Sequence, residues 1–385
     1  MTGGYDDATD VLTKREGWKP WPEIDGSEAL GTVNPSTGSL EYLRATAVYH
    51  DKVAGPMYRV RSEQVDLLVG ADHPLWVQRY DTWAAKRGEQ PFGLEWPGAL
   101  LHKRVRYDKT AKWLSGTDED VVIPPTRRGW TRSDNGARCT REYQGRKFAA
   151  KPFARFLGYY LAEGSVNGHQ IVLAQNRGPL LDAMVGTVRE LGLPPYVPSS
   201  GYGCVRTSCV ALRDFLVQLG HAVDKRLPDV AHRWTPEVTG ILLDAVVDGD
   251  GTTHRGNGHR VIYTVSGELA GGLQVLAIKA GISANVRVDD RTGLRRVMPS
   301  GQTFRNLRPT YVVSLVAKRN RPLVNHGRGR PSRYWNDVGR HDSFVPYSGG
   351  LHSAAVPNGL LLVRRNGKVV VCGDGASRLG GQGGG

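Results

Sequence analysis

Cysteine is scarce in this sequence: four residues in 385, at positions 139, 204, 209 and 372. They form no CxxC pair and no dense framework. That excludes a disulfide-stapled secreted scaffold and leads us to expect a reduced, intracellular, cytoplasmic protein. Cys204 and Cys209 have loose metal-like spacing but no matching second pair, so zinc is not expected. No apolar run is long enough to span a bilayer and no signal peptide is recognisable, so no membrane partner is expected. Acidic residues are also in short supply. The 37 Asp and Glu stand against 51 Lys and Arg, a formal charge of +14. A chain this basic suits a polyanionic partner such as nucleic acid. What is present argues against disorder: hydrophobic residues make up 39%, with nine Trp and fifteen Tyr. The length allows two domains, each with its own core.

Alternation and turn residues from Thr9 onward predict short strands, through TDVLT, SLEYLRATAVYH, GPMYRVRS and EQVDLLVG. The stretch 114–150 is irregular and basic, with Arg127, Arg128, Arg132, Arg138, Arg141, Arg146 and Lys147, and reads as a linker or insertion. Helices are expected at 153–162, 179–191, 209–219, 237–248 and 267–280, with strand-like runs between them. The β pattern returns in GLLLVRRNGKVVVCG, where NG between two apolar runs signals a hairpin. The tail GASRLGGQGGG has flexible-linker composition. A helical, basic middle is thus bracketed by two β segments, which suggests one β domain interrupted by another.

Two stretches of the middle echo each other: FLGYYLAEGS at 156–165 and LLDAVVDGDGT at 242–252. Aligned on the terminal glycine, Gly158 and Ala162 match Ala245 and Gly249, while Glu163-Gly164 matches Asp250-Gly251. Small residues four apart share one helix face, and their missing side chains allow two backbones to approach. Each acid sits at a negative helix end, where it is electrostatically misplaced. Each is followed by a glycine suited to the left-handed conformation that stops a helix. Side by side, the two carboxylates would repel unless a divalent cation lay between them. Oxygen donors suit Mg²⁺, which can serve phosphodiester hydrolysis. The plainer alternative is a pair of core helices, each followed by an exposed acid.

With both copies in hand, the region 151–320 resembles the LAGLIDADG (DOD-type) homing endonucleases. The resemblance implies a pseudo-twofold αββαββα domain whose sheets straddle double-stranded DNA. Glu163 and Asp250 then become the catalytic metal ligands. The stretch DKRLPDVAHRWTPE resembles the family's Lys-x-x-Pro element, which makes Lys225 a catalytic lysine, with Lys318 in the symmetric role. DNA recognition falls to Arg287, Arg291, Arg295, Arg296, Gln302, Arg305 and Arg308, because Arg and Gln can read base edges and neutralise phosphates. The basic segment at 126–150 extends the footprint.

The β brackets, 4–125 and 341–374, resemble the two halves of an intein splicing domain of the horseshoe-shaped Hint fold. The expected fold class is therefore α+β, an all-β Hint domain interrupted by the endonuclease, with a linker at 321–340 and an extein stub or tail at 375–385. The partners implied are host-protein exteins and DNA, for a monomer of phage or bacterial origin. LLVGADHPLWVQ supplies His73, the histidine that activates the N-terminal scissile peptide, although Gly70 replaces the usual Thr. One intein class lacks a first-residue nucleophile and uses an internal one with a partner Trp. Trp76 and Ser353 match those positions. Gly4, Ser353, Asp374 and Gly375 depart from the residues splicing needs. A Ser hydroxyl is a weaker nucleophile than a thiol, and a carboxylate cyclises poorly in place of an Asn amide. Splicing is expected to be impaired. The alternatives are a non-cleaving, maturase-like DNA- or RNA-binding protein, or an autoprocessing domain with an inert insert.

Overall fold

The NG turn shows how the β brackets come together. In the computed structural model Asn366 and Gly367 both have positive φ, 46° and 69°. That is the turn geometry that joins two strands with the natural twist, here Leu360–Arg365 and Lys368–Gly373. The structure describes residues 3–80, 90–132, 134, 136–201, 203–297, 303–317, 320–325 and 340–375, with the side chains of residues 296 and 304 left out. Its described residues form two compact units, one from 1–114, 281–287 and 315–385, the other from 115–280 and 288–314.

The first unit is β-rich and interleaves the two ends of the chain. Thr9–Thr13 pairs with Gly17–Pro20 and with Leu360–Arg365. Ala47–Arg61 pairs along its length with Asp342–Ala355, from Val60↔Asp342 to Ala47↔Ala355. It pairs on its other side with Asp66–Gly70. These strands turn Val11, Val60, Leu67, Val69, Leu361, Val363 and Val370 into one core. Residues 281–287 join this unit partly through Lys109, whose buried Nζ donates to the Gln64 carbonyl (2.5 Å) and to Asn285 Oδ1 (2.6 Å).

The second unit carries five helices of eight or more residues: α1 (Ala150–Glu163), α2 (Pro179–Glu190), α3 (Val210–Val217), α4 (Pro236–Asp250) and α5 (Gly267–Lys279). Their starts follow familiar chemistry. Pro179 and Pro236 occupy first-turn positions, and Thr235 and Ser266 accept the N–H groups of Val238 and Leu269. A helix, a hairpin, a helix and a further strand occur twice in order. After α1 the hairpin is Gly164–Asn167 with Gln170–Ala174, and Cys204–Thr207 joins it. After α4 it is Gly251–Thr253 with Arg260–Thr264, beside which Thr310–Val316 lies in the sheet.

The segment read as a linker or insertion at 126–150 contains paired strands. Val121–Ile123 pairs with Arg146–Phe148, and Thr126–Thr131 pairs with Arg138–Tyr143 as a ribbon. One face is exposed and the other, carrying Thr126, Arg128, Cys139 and Tyr143, is half-buried and largely polar, so hydrophobic alternation gave no sign of it. The linker expected at 321–340 also begins as a strand, with Leu323–Val324 pairing to Arg106 and Val105.

Candidate active site

α1 and α4 pack along the small-residue faces. A Cβ added at Gly158 would come within 2.6 Å of the Ala245 Cβ and of the Leu242 carbonyl oxygen. One turn on, a Cβ at Gly249 would lie 2.5 Å from the Ala162 Cβ and 3.3 Å from Glu163 Cγ. The absent side chains allow the contact, and the contact brings Glu163 and Asp250 to one end of the helix pair.

The glycines that follow the acids are not left-handed, contrary to expectation. Gly164 has φ −87° and Gly251 φ −118°, and each runs straight from a helix into an extended strand. Crowding demands glycine there instead. A Cβ at Gly164 would lie 2.4 Å from the Tyr160 carbonyl oxygen, and one at Gly251 2.5 Å from that of Val247.

Lys225 caps this end. Only 8% exposed, it donates from Nζ to the carbonyls of Tyr160 (3.1 Å), Leu161 (2.9 Å) and Gly164 (3.1 Å). An ammonium on the last carbonyls of a helix satisfies orphan acceptors and opposes the negative dipole end. Its own carbonyl accepts from Ser266 Oγ at 2.6 Å, so the loop is fixed to the start of α5. Part of the answer to the misplaced acid is therefore this lysine.

The charges do not balance. Burial raises the Glu163 carboxyl above its usual range, with Lys225 pulling it back. The Asp250 carboxyl is pushed up to about 6, first by burial and then by the charge of Glu163, against Lys225. Burial lowers the Lys225 ammonium, with Asp250 and Glu163 opposing. Two half-buried carboxylates share one cation, and their donors are oxygen alone. That donor set fits a hard divalent ion such as Mg²⁺. Among the described residues no group of three or more His, Cys, Asp or Glu could hold a metal. Glu163 and Asp250 would need carbonyl, water or phosphate oxygens to complete a shell.

Of the expected base-reading residues, Arg287, Arg291, Arg295, Arg305 and Arg308 are exposed. Arg287 belongs to the first unit and the others to the second. Arg295 and Arg305 are cross-strand partners in the short ribbon of Arg295–Val297 and Thr303–Arg305. Arg291 pairs with Asp289 at 3.0 Å, and Arg305 Nε donates to the Gly293 carbonyl at 3.1 Å. Lys318, Gln302 and the Arg296 side chain lie outside the described residues.

The first unit gathers a second set. His73 is fully buried, and burial pushes its pKa down to about 3, with a Gly373 backbone hydrogen bond opposing. A Cβ on Gly375 would lie 3.3 Å from His73 Nδ1 and 2.9 Å from the Ser353 Cβ. A Cβ on Gly3 would lie 2.8 Å from the Gly375 carbonyl oxygen, so residues 3 and 375 are neighbours. Asp374 is held by its N–H on the Gly359 carbonyl (3.0 Å) and by Oδ2 accepting from Val356 N (3.1 Å). His73, Ser353, Asp374 and Gly375 thus converge. The Trp76 ring stacks on Phe92 instead, with centroids 6.0 Å apart.

Sequence reasoning missed five participants. Cys372 Sγ lies 3.5 Å from His73 Nε2, and the Tyr5 hydroxyl donates to the Gly373 carbonyl. A chain of contacts also runs from Asp7 Oδ1 to His352 Nε2 (2.9 Å), from His352 Nδ1 to His50 Nδ1 (2.8 Å), and from His50 Nε2 to the Ile24 carbonyl (2.8 Å). The hydrogen bond to His352 is the main reason the Asp7 carboxyl titrates below its usual range. No local pattern could reveal a pair of histidines 302 residues apart.

No family model matches the chain. Two curated proteins are similar to it. One is the ATP-dependent Clp protease proteolytic subunit of Chlamydomonas moewusii, 23% identical over 72% of this chain and 28% of that protein. The other is the DNA-directed RNA polymerase subunit beta C-terminal section of Stigeoclonium helveticum, 22% identical over 96% of this chain and 36% of that protein. The chain therefore spans 28% and 36% of the lengths of these relatives. Among solved structures, mesophilic variants of the homing endonuclease I-DmoI match at TM-score 0.31 and 11% identity, over 44% of this chain and 91% of that chain. The complex of I-DmoI with DNA and Ca matches at TM-score 0.32 and 11% identity, over 44% and 85%. The N-terminal LAGLIDADG domain of WhiA matches at TM-score 0.29 and 12% identity, over 44% and 77%.

Proposed function

We propose that the second unit is a divalent-metal-dependent endonuclease of the LAGLIDADG type that cuts double-stranded DNA. The observation that carries this reading is the meeting of Glu163 and Asp250 at the end of two closely packed helices, beside Lys225. In this reading Glu163 and Asp250 would hold Mg²⁺, which when bound would supply charge stabilisation to phosphodiester hydrolysis. Lys225 arrives pre-positioned by three carbonyls. Its ammonium offsets negative charge developing on the phosphate, at no cost in reorganisation. The basic strands and loops of this unit hold the duplex by its phosphates. The test is incubation of the full chain with a DNA carrying the uninterrupted host gene, under Mg²⁺ or Mn²⁺. A double-strand break at one position is expected. Binding by gel shift with no cleavage under either metal would overturn the nuclease and favour the maturase-like alternative.

The first unit supports a second role, an intein splicing domain. His73, Ser353, Asp374 and Gly375 meet where residues 3 and 375 are neighbours, which is what joining two flanks requires. The matches to two relatives of unrelated name, over most of this chain but a minor part of each of them, suit an element carried inside different host proteins. Gly375 carries no side chain that could accept an acyl group, and Asp374 offers a carboxylate where an amide must cyclise. The purified chain is therefore expected to remain a single 42.1 kDa species after long incubation with thiol. Mass spectrometry showing ligated flanks or released ends would overturn the assignment of impaired chemistry.

A further inference from the structure

We infer that the ribbon of Thr126–Thr131 and Arg138–Tyr143 is a separate DNA-contacting element that enters a groove of duplex DNA; this rests on the endonuclease reading. Six cross-strand pairs, Thr126↔Tyr143 to Thr131↔Arg138, run without a third strand beside either edge among the described residues. An isolated two-stranded ribbon is marginal in water. The base of this one is anchored. Thr126 Oγ1 and Arg128 Nε each donate to Asp214 Oδ2 of α3 at 3.0 Å.

Beyond that anchor most of the ribbon's cations lack a counter-charge at ion-pair distance among the described residues. Arg141 stands opposite Arg128, whose charge Asp214 takes up, and Arg127 stands opposite Glu142. Trp130, next to the distal end of its strand, is 49% exposed. Arg127, Arg138 and Arg141 are exposed, and none has a carboxylate partner at ion-pair distance among the described residues. Arg141 lies 5.2 Å from the ring centre of Tyr143. Across 126–147 there are seven Lys and Arg against two acids.

The faces follow from register. Arg128, Trp130, Cys139 and Arg141 share one, and Arg127 and Arg138 lie on the other. Cations on both faces suit a groove, which has phosphates on both walls, better than a flat surface that meets one face. The major groove of B-DNA is wide enough for a two-stranded ribbon. Trp130 adds a flat ring that can lie on sugar or on an unstacked base.

The test is a pair of triple variants of the full chain, Arg127→Gln/Arg138→Gln/Arg141→Gln and the same positions to Lys. Binding to a long mixed-sequence duplex is measured at a series of salt concentrations. The Gln variant should flatten the slope of log affinity against log salt by about 2–3, since each arginine seated on a phosphate adds about 0.9 to that slope. The Lys variant should keep the parental slope, and both should melt with the parent. A Gln variant with the parental slope, from a parent that binds, overturns the ribbon and leaves the endonuclease reading intact. A parent that binds no duplex overturns both. Single-stranded RNA that outcompetes the duplex on the parent but not on the Gln variant would assign the ribbon to RNA and overturn the commitment to DNA.

Discussion

Asp250→Asn is expected to abolish DNA cleavage while raising the melting temperature of the metal-free protein. The two effects share one cause. The Asp250 carboxyl is pushed up to about 6 from the 3.8 of the free side chain, by burial and by Glu163. Its ionised form is therefore costly in the fold, by about 1–2 kcal/mol after allowing for its partly open surroundings. The sign follows from proton counting. Between about pH 4 and pH 6 the folded chain keeps a proton that the unfolded chain has lost. Stability should fall as pH rises through that window and stay low above it. Asn removes the charge at nearly constant shape. The metal-free variant should then melt about 2–6 °C higher than the parent near pH 7 and show a weaker slope below pH 6. Mg²⁺ should raise the parental midpoint and leave that of the variant nearly unmoved, since binding to the folded state stabilises by mass action. Cleavage should fall by about 10³-fold or more, the equivalent of several kcal/mol of transition-state stabilisation. Calorimetry with chelator and with Mg²⁺, beside single-turnover cleavage, checks both halves. A variant that cuts at the parental rate removes Asp250 from the chemistry. One that stops cutting but melts lower makes the residue a structural one.

The pairing behind this prediction was legible because it is local. Gly158, Ala162, Ala245 and Gly249 repeat a spacing of four, and small residues on one helix face have few other uses. The hairpin at Asn366-Gly367 was legible for a similar reason, since few residues tolerate positive φ. What failed depended on packing that no spacing rule describes. Gly164 and Gly251 are small because Tyr160 and Val247 crowd them, not because the backbone turns left-handed. The motif pointed to Lys225, but its carbonyl partners lie 61 to 65 residues away. The ribbon at 126–143 was read only as a linker or insertion because alternation marks strands with one apolar, buried face. The Asp7–His352–His50 chain was invisible for want of any spacing rule linking its members.

Arg365→Met is expected to destabilise the first unit by about 3–5 kcal/mol, the effect of breaking a buried ion pair by removing one partner. Arg365 is 8% exposed, Asp6 2% and Asp66 3%. Nη1 of Arg365 meets Asp66 Oδ1 at 2.7 Å, and Nη2 meets Asp6 Oδ2 at 2.9 Å. Thr9 Oγ1 and Asn366 Nδ2 take up further carboxylate oxygens, so both acids are held in place as acceptors. Without the guanidinium, two buried carboxylates would face each other with no counter-charge. The three residues stand just before the first strand, in the strand Asp66–Gly70 and in the last hairpin, so the network ties the start of the chain to its end. The same tie supports the closeness of residues 3 and 375, on which any joining chemistry depends. Hydrogen exchange should therefore accelerate at residues 5–13 and 360–373 and remain parental in α1 and α4. Replacing the whole network, Asp6→Asn, Asp66→Asn and Arg365→Met together, should recover most of the stability, because the cost lies in stranded charge and not in packing. If the single variant costs less than about 1 kcal/mol, or the triple variant is worse than the single, the network is not what joins the two ends, and the β pairing of Thr9–Thr13 with Leu360–Arg365 must do so alone.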